Sequence, residues 1–248
     1  MDQTLPFALP LDGASNVRDL GGWRVADGRR VRPGMVWRSA ALHGLTEADL
    51  ARLAEAGIAT VCDLRGEREA ARAPSRLPPG AVAHPLPIEP FVGASLRDML
   101  ERGAATGEGA VELLRRAYLS YVSDHLDAYR RLFALLLDEA RRPLLFHCSA
   151  GKDRTGIGAA LVLTVLGADR ATVMADYVAT DRLWRRDHPL PPGTPQAAAD
   201  AILSTHPAML EEALDAVLAR FDGVEGLAAD GLGLSRSGLA SFREALLD

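Results

Sequence analysis

Cysteine is scarce: the 248 residues contain two, Cys62 and Cys148. A disulfide-stapled scaffold is thereby excluded, and the sparing use fits a reducing compartment. Aromatic residues are also few, at 5%. No apolar run reaches the about 20 residues that a membrane-spanning helix needs; the most apolar stretch, Ile157 to Leu166, is much shorter. An excess of positive charge is missing too, with 28 Lys and Arg against 33 Asp and Glu and a formal net charge of −5. Nucleic acid and anionic membranes therefore gain no global attraction, so neither is an expected partner. A phosphorylated ligand must be held by a local site. The segment from Met1 to Pro10 lacks the basic and apolar regions of a signal peptide. The expected location is the cytoplasm, with signal-independent export left open. No internal repeat is visible.

What is present is an alternation of short apolar strands with helical periods, which predicts an α/β fold with helices on both sheet faces. Strands are expected at Trp23–Val25, Met35–Ser39, Ile58–Leu64, Val82–Pro87 (an edge strand, broken by Pro85 and Pro87) and Pro143–His147. Thr46 and Asp49 have the spacing of a capping box, and Gly57 is placed to end that helix. Residues 66–80 read as a charged loop or short helix, and 93–110 as a mobile Gly/Ala-rich segment. A long helical period runs from Val111 to Ala140. Beyond the Pro143–His147 strand the chain reads as helical: Arg154–Leu166, a helix from Asp169, then Gln196–Ser204, Ala208–Phe221 and Ser235–Leu247, with a Pro/Gly break at Pro189–Pro195. No long linker divides it, so residues 1–248 are expected to form a single domain.

The chemistry is concentrated in Leu144-Leu145-Phe146-His147-Cys148-Ser149-Ala150-Gly151-Lys152-Asp153-Arg154-Thr155-Gly156. A strand, a short loop and a helix in succession turn backbone N–H groups inward, and the helix dipole adds positive potential, so the loop is a nest for a tetrahedral oxyanion. Cys148, facing that field with Arg154 nearby, is expected as a thiolate nucleophile. Arg154 lies six residues on and can fold its planar fork over a bound phosphate. Thr155 can put a hydroxyl near the sulfur. Gly151 and Gly156 allow backbone conformations and close packing that other residues resist. The implied reaction goes through a cysteinyl-phosphate and needs no metal or other cofactor. A lone Cys at a strand end is usually a small buried hydrophobe. A nucleotide-binding Walker loop fails on Phe146 and Asp153, which stand where Gly and Ser or Thr belong.

These residues resemble the Cys-x5-Arg-Ser/Thr signature of protein tyrosine phosphatases. The Gly-Lys-Asp-Arg-Thr-Gly ending resembles a bacterial and fungal tyrosine-phosphatase-like branch. Asn16-Val17-Arg18-Asp19-Leu20-Gly21-Gly22, Trp37-Arg38-Ser39-Ala40 and Asp63-Leu64-Arg65 resemble that branch as well. The resemblance implies a cysteine-dependent phosphatase domain around a mostly parallel sheet, with a helical C-terminal part. Phosphotyrosine would be the preferred substrate, with phosphoserine, phosphothreonine and phosphoinositides accepted by some members. It implies a lid within about residues 182–222, for which plain packing on the core is the alternative. The phosphate would be held by Ser149, Ala150, Gly151, Lys152, Asp153 and Arg154. One departure is visible: Thr180-Asp181 stands where such proteins often carry Ser-Asn.

Expelling an alkoxide or phenolate needs a general acid. Asp153 in the loop, favoured by the resemblance, and Asp63 at a strand end are the two candidates; for Asp63 a pair with Arg65 or Arg38 is the structural reading. Lys152 would bind a further phosphate or be a solvated loop charge. His147 would be a buried, loop-shaping residue. Arg18, Asp19 and Arg38 would form a supporting network, and Cys62 a core residue or a redox partner of Cys148. A phosphatase-like module that binds without turnover is the competing function. An enzyme handling sulfur or arsenate lacks a second cysteine beside the loop.

Overall fold

The computed structural model describes residues 8–89, 105–186, 190 and 192–248. Five strands form one sheet in the order β1-β2-β5-β3-β4: β1 (Arg18–Asp19), β2 (Val36–Ser39), β3 (Thr60–Asp63), β4 (Val82–Pro85) and β5 (Leu144–His147). Only β1 runs antiparallel; β2, β5, β3 and β4 are mutually parallel. The central strand β5 is Leu-Leu-Phe-His, buried on both faces, as a continuous apolar run in a parallel sheet should be. Register places Trp37, Leu145 and Val61 side by side, and Arg38, Phe146 and Cys62 next to them. Successive side chains leave opposite faces. The first row packs with Leu42, Leu50 and Leu53 on one side; Phe146 and Cys62 join the larger core on the other.

The smaller face is covered by α1 (Glu47–Glu55), whose Thr46–Asp49 capping box is formed. The short α2 (Glu67–Arg72) follows β3. The larger face carries α3 (Gly107–Ser123), α4 (Leu126–Leu137), α5 (Asp153–Leu166), α6 (Arg170–Val178) and α7 (Thr180–Leu183). Then come α8 (Gln196–Leu203), α9 (Pro207–Arg220), α10 (Val224–Gly226, continuing as a π turn to Gly231) and α11 (Arg236–Leu246). Helix α5 is buried along its length and apolar all round, as expected of a helix enclosed by others.

Three expectations change. Trp23–Val25 is not a strand: Val25 N–H bonds Arg29 O and Val31 N–H bonds Trp23 O around the left-handed Gly28, so the segment closes on itself, and the first strand is Arg18–Asp19. The long helical period breaks into two helices at Asp124–His125, and its first helix begins earlier, at Gly107, under a Thr106 cap. Of the segment read as mobile, 93–104 lies outside the described residues, and Gly107–Ala110 is helix. Pro189 and Pro191 of the Pro189–Pro195 break also lie outside them, and its described residues form no helix or strand before Gln196.

Candidate active site

Ser39, His147 and Asp63 end three parallel strands in register, and ligand sites of such sheets lie beyond those carboxyl ends. There the chain runs from Cys148 to Lys152 and into α5. The His147 ring Nδ1 lies 3.2 Å from Cys148 O, and the Ala41 amide donates to Ser149 O at 3.0 Å. Asn16 Nδ2 donates to Ala150 O at 3.1 Å and to Gly151 O at 2.8 Å, and Arg38 Nη2 adds 2.7 Å to Gly151 O. Four successive carbonyls are thus engaged outside the loop. In a planar trans peptide the next N–H points the opposite way. The N–H groups of Ser149 to Lys152 have no acceptor among the described residues. Gly151 is required: its φ is +64°, and a Cβ there would stand 2.4 Å from Ser39 O.

The outer groups are themselves held. Asn16, Arg18, Arg38 and Asp176 are all buried. Arg18 Nε donates to Asp176 Oδ1 at 2.9 Å, Arg38 Nη1 donates to Oδ2, and Arg18 Nη1 donates to Asn16 Oδ1. Burial opposes the Asp176 charge, but the two guanidiniums outweigh it and hold its carboxyl below the usual range. The expected Arg18–Asp19–Arg38 network is corrected: Asp176 is the shared carboxylate, and Asp19 accepts from the Gly21 and Gly34 amides instead.

Arg154 turns its fork to a residue that sequence reasoning missed. Its Nη1 donates to Glu69 Oε2 at 2.6 Å and its Nη2 to Oε1 at 3.1 Å, and Ser149 Oγ donates to Oε1 at 2.7 Å. Burial works against both charges; the pairing keeps Glu69 below the usual carboxylate range and raises Arg154. The one trace of Glu69 in the sequence is its place three residues after Gly66, the spacing of a capping carboxylate, and it does accept from the Gly66 amide. Cys148 is 2% exposed, with Tyr121 and Tyr129 in the same core. Thr155 Oγ1 is buried without a hydrogen-bond partner among the described residues, so no bond from it to the sulfur is formed.

Asp153 Oδ1 accepts from Lys152 Nζ at 2.8 Å and from Tyr118 Oη at 2.7 Å. Burial favours its neutral form, but Lys152, Tyr118 and Arg154 together hold its carboxyl below the ordinary value. Lys152 is not a solvated charge; it is 2% exposed and also donates to Ser204 O at 3.0 Å. Asp63 is brought elsewhere. Arg65 Nη2 donates to its Oδ2 at 2.6 Å, and it lines a separate hollow with Glu67, Pro87 and Arg131. Burial raises its pKa, but Arg65 and His147 more than reverse that. His147 is fully buried, which lowers its pKa despite Asp63, and its Nε2 lies 3.2 Å from Ser75 Oγ. Cys62 is a buried free thiol pushed up to about 12 by burial, and no disulfide joins it to Cys148.

A cavity of ≈ 440 Å³ opens over the loop, lined by Ser149, Ala150, Lys152 and Asp153 and walled by Trp184 and Ile202. That is within the range of small-ligand sites. Among the described residues, no group of three or more His, Cys, Asp or Glu could hold a metal ion, and none forms a helix long and apolar enough to cross a membrane.

The sequence profile of the tyrosine phosphatase family matches residues 9–248. The chain belongs to that family. A triple specificity protein phosphatase PtpB from Mycobacterium tuberculosis is 36% identical over 191 residues, covering 68% of this chain and 67% of that protein. A putative tyrosine-protein phosphatase of Cupriavidus necator is 35% identical over 70% of this chain and 63% of its own length. A tyrosine-protein phosphatase of Nostoc commune is 30% identical over 56% of this chain and 46% of its own length. The chain thus spans about two thirds or less of these relatives. Among solved structures, the Siw14 catalytic core aligns at a TM-score of 0.39 and 12% identity, covering 84% of this chain and 94% of its own. TpbA of Pseudomonas aeruginosa aligns at 0.32 and 16%, covering 75% and 90%. The phosphatase-type enzyme expected from the sequence is the type of its relatives.

Proposed function

We propose that the protein hydrolyses phosphate monoesters, phosphotyrosine foremost, in two displacements at Cys148. The Cys148 thiolate attacks phosphorus, and the ester P–O bond breaks as Asp153 gives its proton to the leaving oxygen. Water then attacks the cysteinyl-phosphate, Asp153 takes the water's proton, and the P–S bond breaks to restore the thiolate. Splitting one displacement into two is the gain of covalent catalysis. The inward amides and the Arg154 fork would stabilise the charge on the equatorial oxygens.

One observation carries the reading: the carbonyls of Cys148 to Gly151 are all bonded outward, which leaves four amides for an anion. Asp153 is assigned the acid role over Asp63 because it lines the cavity of the loop and Asp63 does not. Asp153 is ionised in the free protein; an arriving phosphate dianion pushes it toward protonation. The apolar wall of Ala41, Trp184, Ile202 and Leu203 suits the ring of phosphotyrosine. Arg72 and Arg186 at the same cavity add positive charge, in line with phosphoserine, phosphothreonine and phosphoinositides as further substrates. α8 contributes Ile202 and Leu203 to that wall, the part a lid would play.

The test is a side-by-side assay of p-nitrophenyl phosphate, phosphotyrosine peptide and phosphoinositides with wild type, Cys148→Ser and Asp153→Asn. The first variant should be inactive, and the second slowed least on p-nitrophenyl phosphate and more on phosphotyrosine and phosphoinositides, whose leaving oxygens are more basic. Hydrolysis surviving in Cys148→Ser would overturn the mechanism. An unchanged rate and pH profile in Asp153→Asn would remove Asp153 from the acid role.

A further inference from the structure

Beyond the loop, an unbroken chain of hydrogen bonds leads from the link between α8 and α9 to the carboxyl of Asp153. The His206 backbone N–H donates to Tyr177 Oη at 2.9 Å, the hydroxyls of Tyr177 and Tyr118 bond each other, and Tyr118 Oη reaches Asp153 Oδ1 at 2.7 Å. Its direction is fixed from both ends. A backbone N–H can only donate, so Tyr177 accepts there and has its single proton left for Tyr118. An ionised carboxylate can only accept, so Tyr118 gives its single proton to Asp153 and must accept from Tyr177. Both tyrosines are held in the neutral form, chiefly by burial. The same link supplies Ser204 O, which accepts from Lys152 Nζ, and Thr205, whose N–H and Oγ1 bond the Asp181 carboxylate at 3.1 and 2.6 Å.

The two donors fill Oδ1. A carboxylate oxygen has two lone pairs in its plane, and here Lys152 and Tyr118 occupy both. Oδ2 has no partner among the described residues, and Asp153 lines the cavity. Resting on the phosphatase reading, we infer that Tyr118, backed by Tyr177, is a positioning residue that reserves Oδ1 and so places the transferable proton of Asp153 on Oδ2, facing the substrate. The groups coupled to it are Lys152 and Arg154 beside it, Tyr118 and Tyr121 from α3, Tyr129 from α4 and Tyr177 from α6; Glu69, Arg65, Arg72 and Arg186 are further charged groups at the site.

Tyr118→Phe keeps the ring and removes one donor from the ionised carboxyl, so the Asp153 pKa rises. With the proton no longer confined to Oδ2, transfer to the leaving oxygen falters. The expected signature is a basic limb of kcat/KM displaced to higher pH, with a loss about tenfold larger on phenyl phosphate than on p-nitrophenyl phosphate, because the poorer leaving group depends more on acid catalysis. Tyr177→Phe should move both in the same direction by less, and the double variant should match Tyr118→Phe, as coupled links do. Carbon-13 titration of the Asp153 carboxyl in wild type and Tyr118→Phe needs no turnover and should show the upward shift directly. Unchanged limb, leaving-group dependence and titration in Tyr118→Phe would overturn the inference while leaving the enzyme assignment intact. A wild type that hydrolyses no ester would sink the phosphatase reading, and the titration would still decide the relay.

Discussion

Replacing Asn16 with glycine removes the side chain that pulls two loop carbonyls outward, without adding strain. Asn16 sits at φ 58°, in the left-handed region. Its Nδ2 donates to Ala150 O and Gly151 O, and its Oδ1 accepts from Arg18. Two neutral bonds at about 1 kcal/mol each and one to a charged group at about 1.5–3 kcal/mol set an upper figure of about 5 kcal/mol. Gly151 O retains Arg38, and Arg18 Nη1 retains Asn16 O at 3.4 Å, so a loss of about 2–4 kcal/mol is expected. For a chain of this size that lowers the thermal midpoint by about 5–15 °C. Asn16→Ala should cost about 1 kcal/mol more, because alanine lacks glycine's freedom at positive φ. Activity is the decisive readout. If the outward bonds aim the amides, kcat/KM for phosphotyrosine peptide should fall about 100-fold in both variants, the scale of losing one preorganised donor. A glycine variant that melts early yet keeps kcat/KM within about twofold of wild type at a temperature where it is folded would refute that reasoning.

Two further perturbations test the frame around the loop. Gly151→Ala forces a Cβ to within 2.4 Å of Ser39 O; backbone must shift, and phosphate or vanadate affinity, measured by calorimetry, should drop at least tenfold, while unaltered affinity would show that the loop tolerates the change. Asp176 has a folded pKa held below its unfolded value between Arg18 and Arg38, so its stabilisation is complete above about pH 4 and is lost as pH falls through the folded value. Asp176→Asn should therefore cost about 3–5 kcal/mol at neutral pH, leaving two buried guanidiniums uncompensated, and should flatten the fall of the urea midpoint on acidification. A slope equal to that of wild type would place the acid sensitivity elsewhere.

The loop, its flanking strand and helix, and the mostly parallel α/β architecture were legible in the sequence because each is written in contiguous residues. Leu144 to Thr155 carries its own periodicity, its glycine and its charges. What was hidden depends on contacts between distant segments. Glu69 is 85 positions from Arg154, and a carboxylate in a charged stretch gives no sign of its partner. Tyr118 and Tyr177 read as apolar stripe residues of their helices, and only the packing of α3 against α5 and α6 turns their hydroxyls toward Asp153. The pairing of Asp63 was hidden less deeply: its position at a strand end was legible, and Arg65, two residues on, bonds it. Trp23–Val25 has strand-like composition, and the glycines around it bend it back on itself.

The position of β5 has a consequence for how the chain is made. β2 and β3 do not touch each other as ladder partners; each pairs with β5, which is last of the five in the sequence. Without β5 the pairs β1–β2 and β3–β4 share no ladder partner, and a two-stranded pair is only marginally stable by itself. Nascent chains tend to fold as units, and this unit lacks its centre until Leu144–His147 has emerged. The five residues that follow β5 are the candidate loop, so closure of the sheet and assembly of that loop are one event.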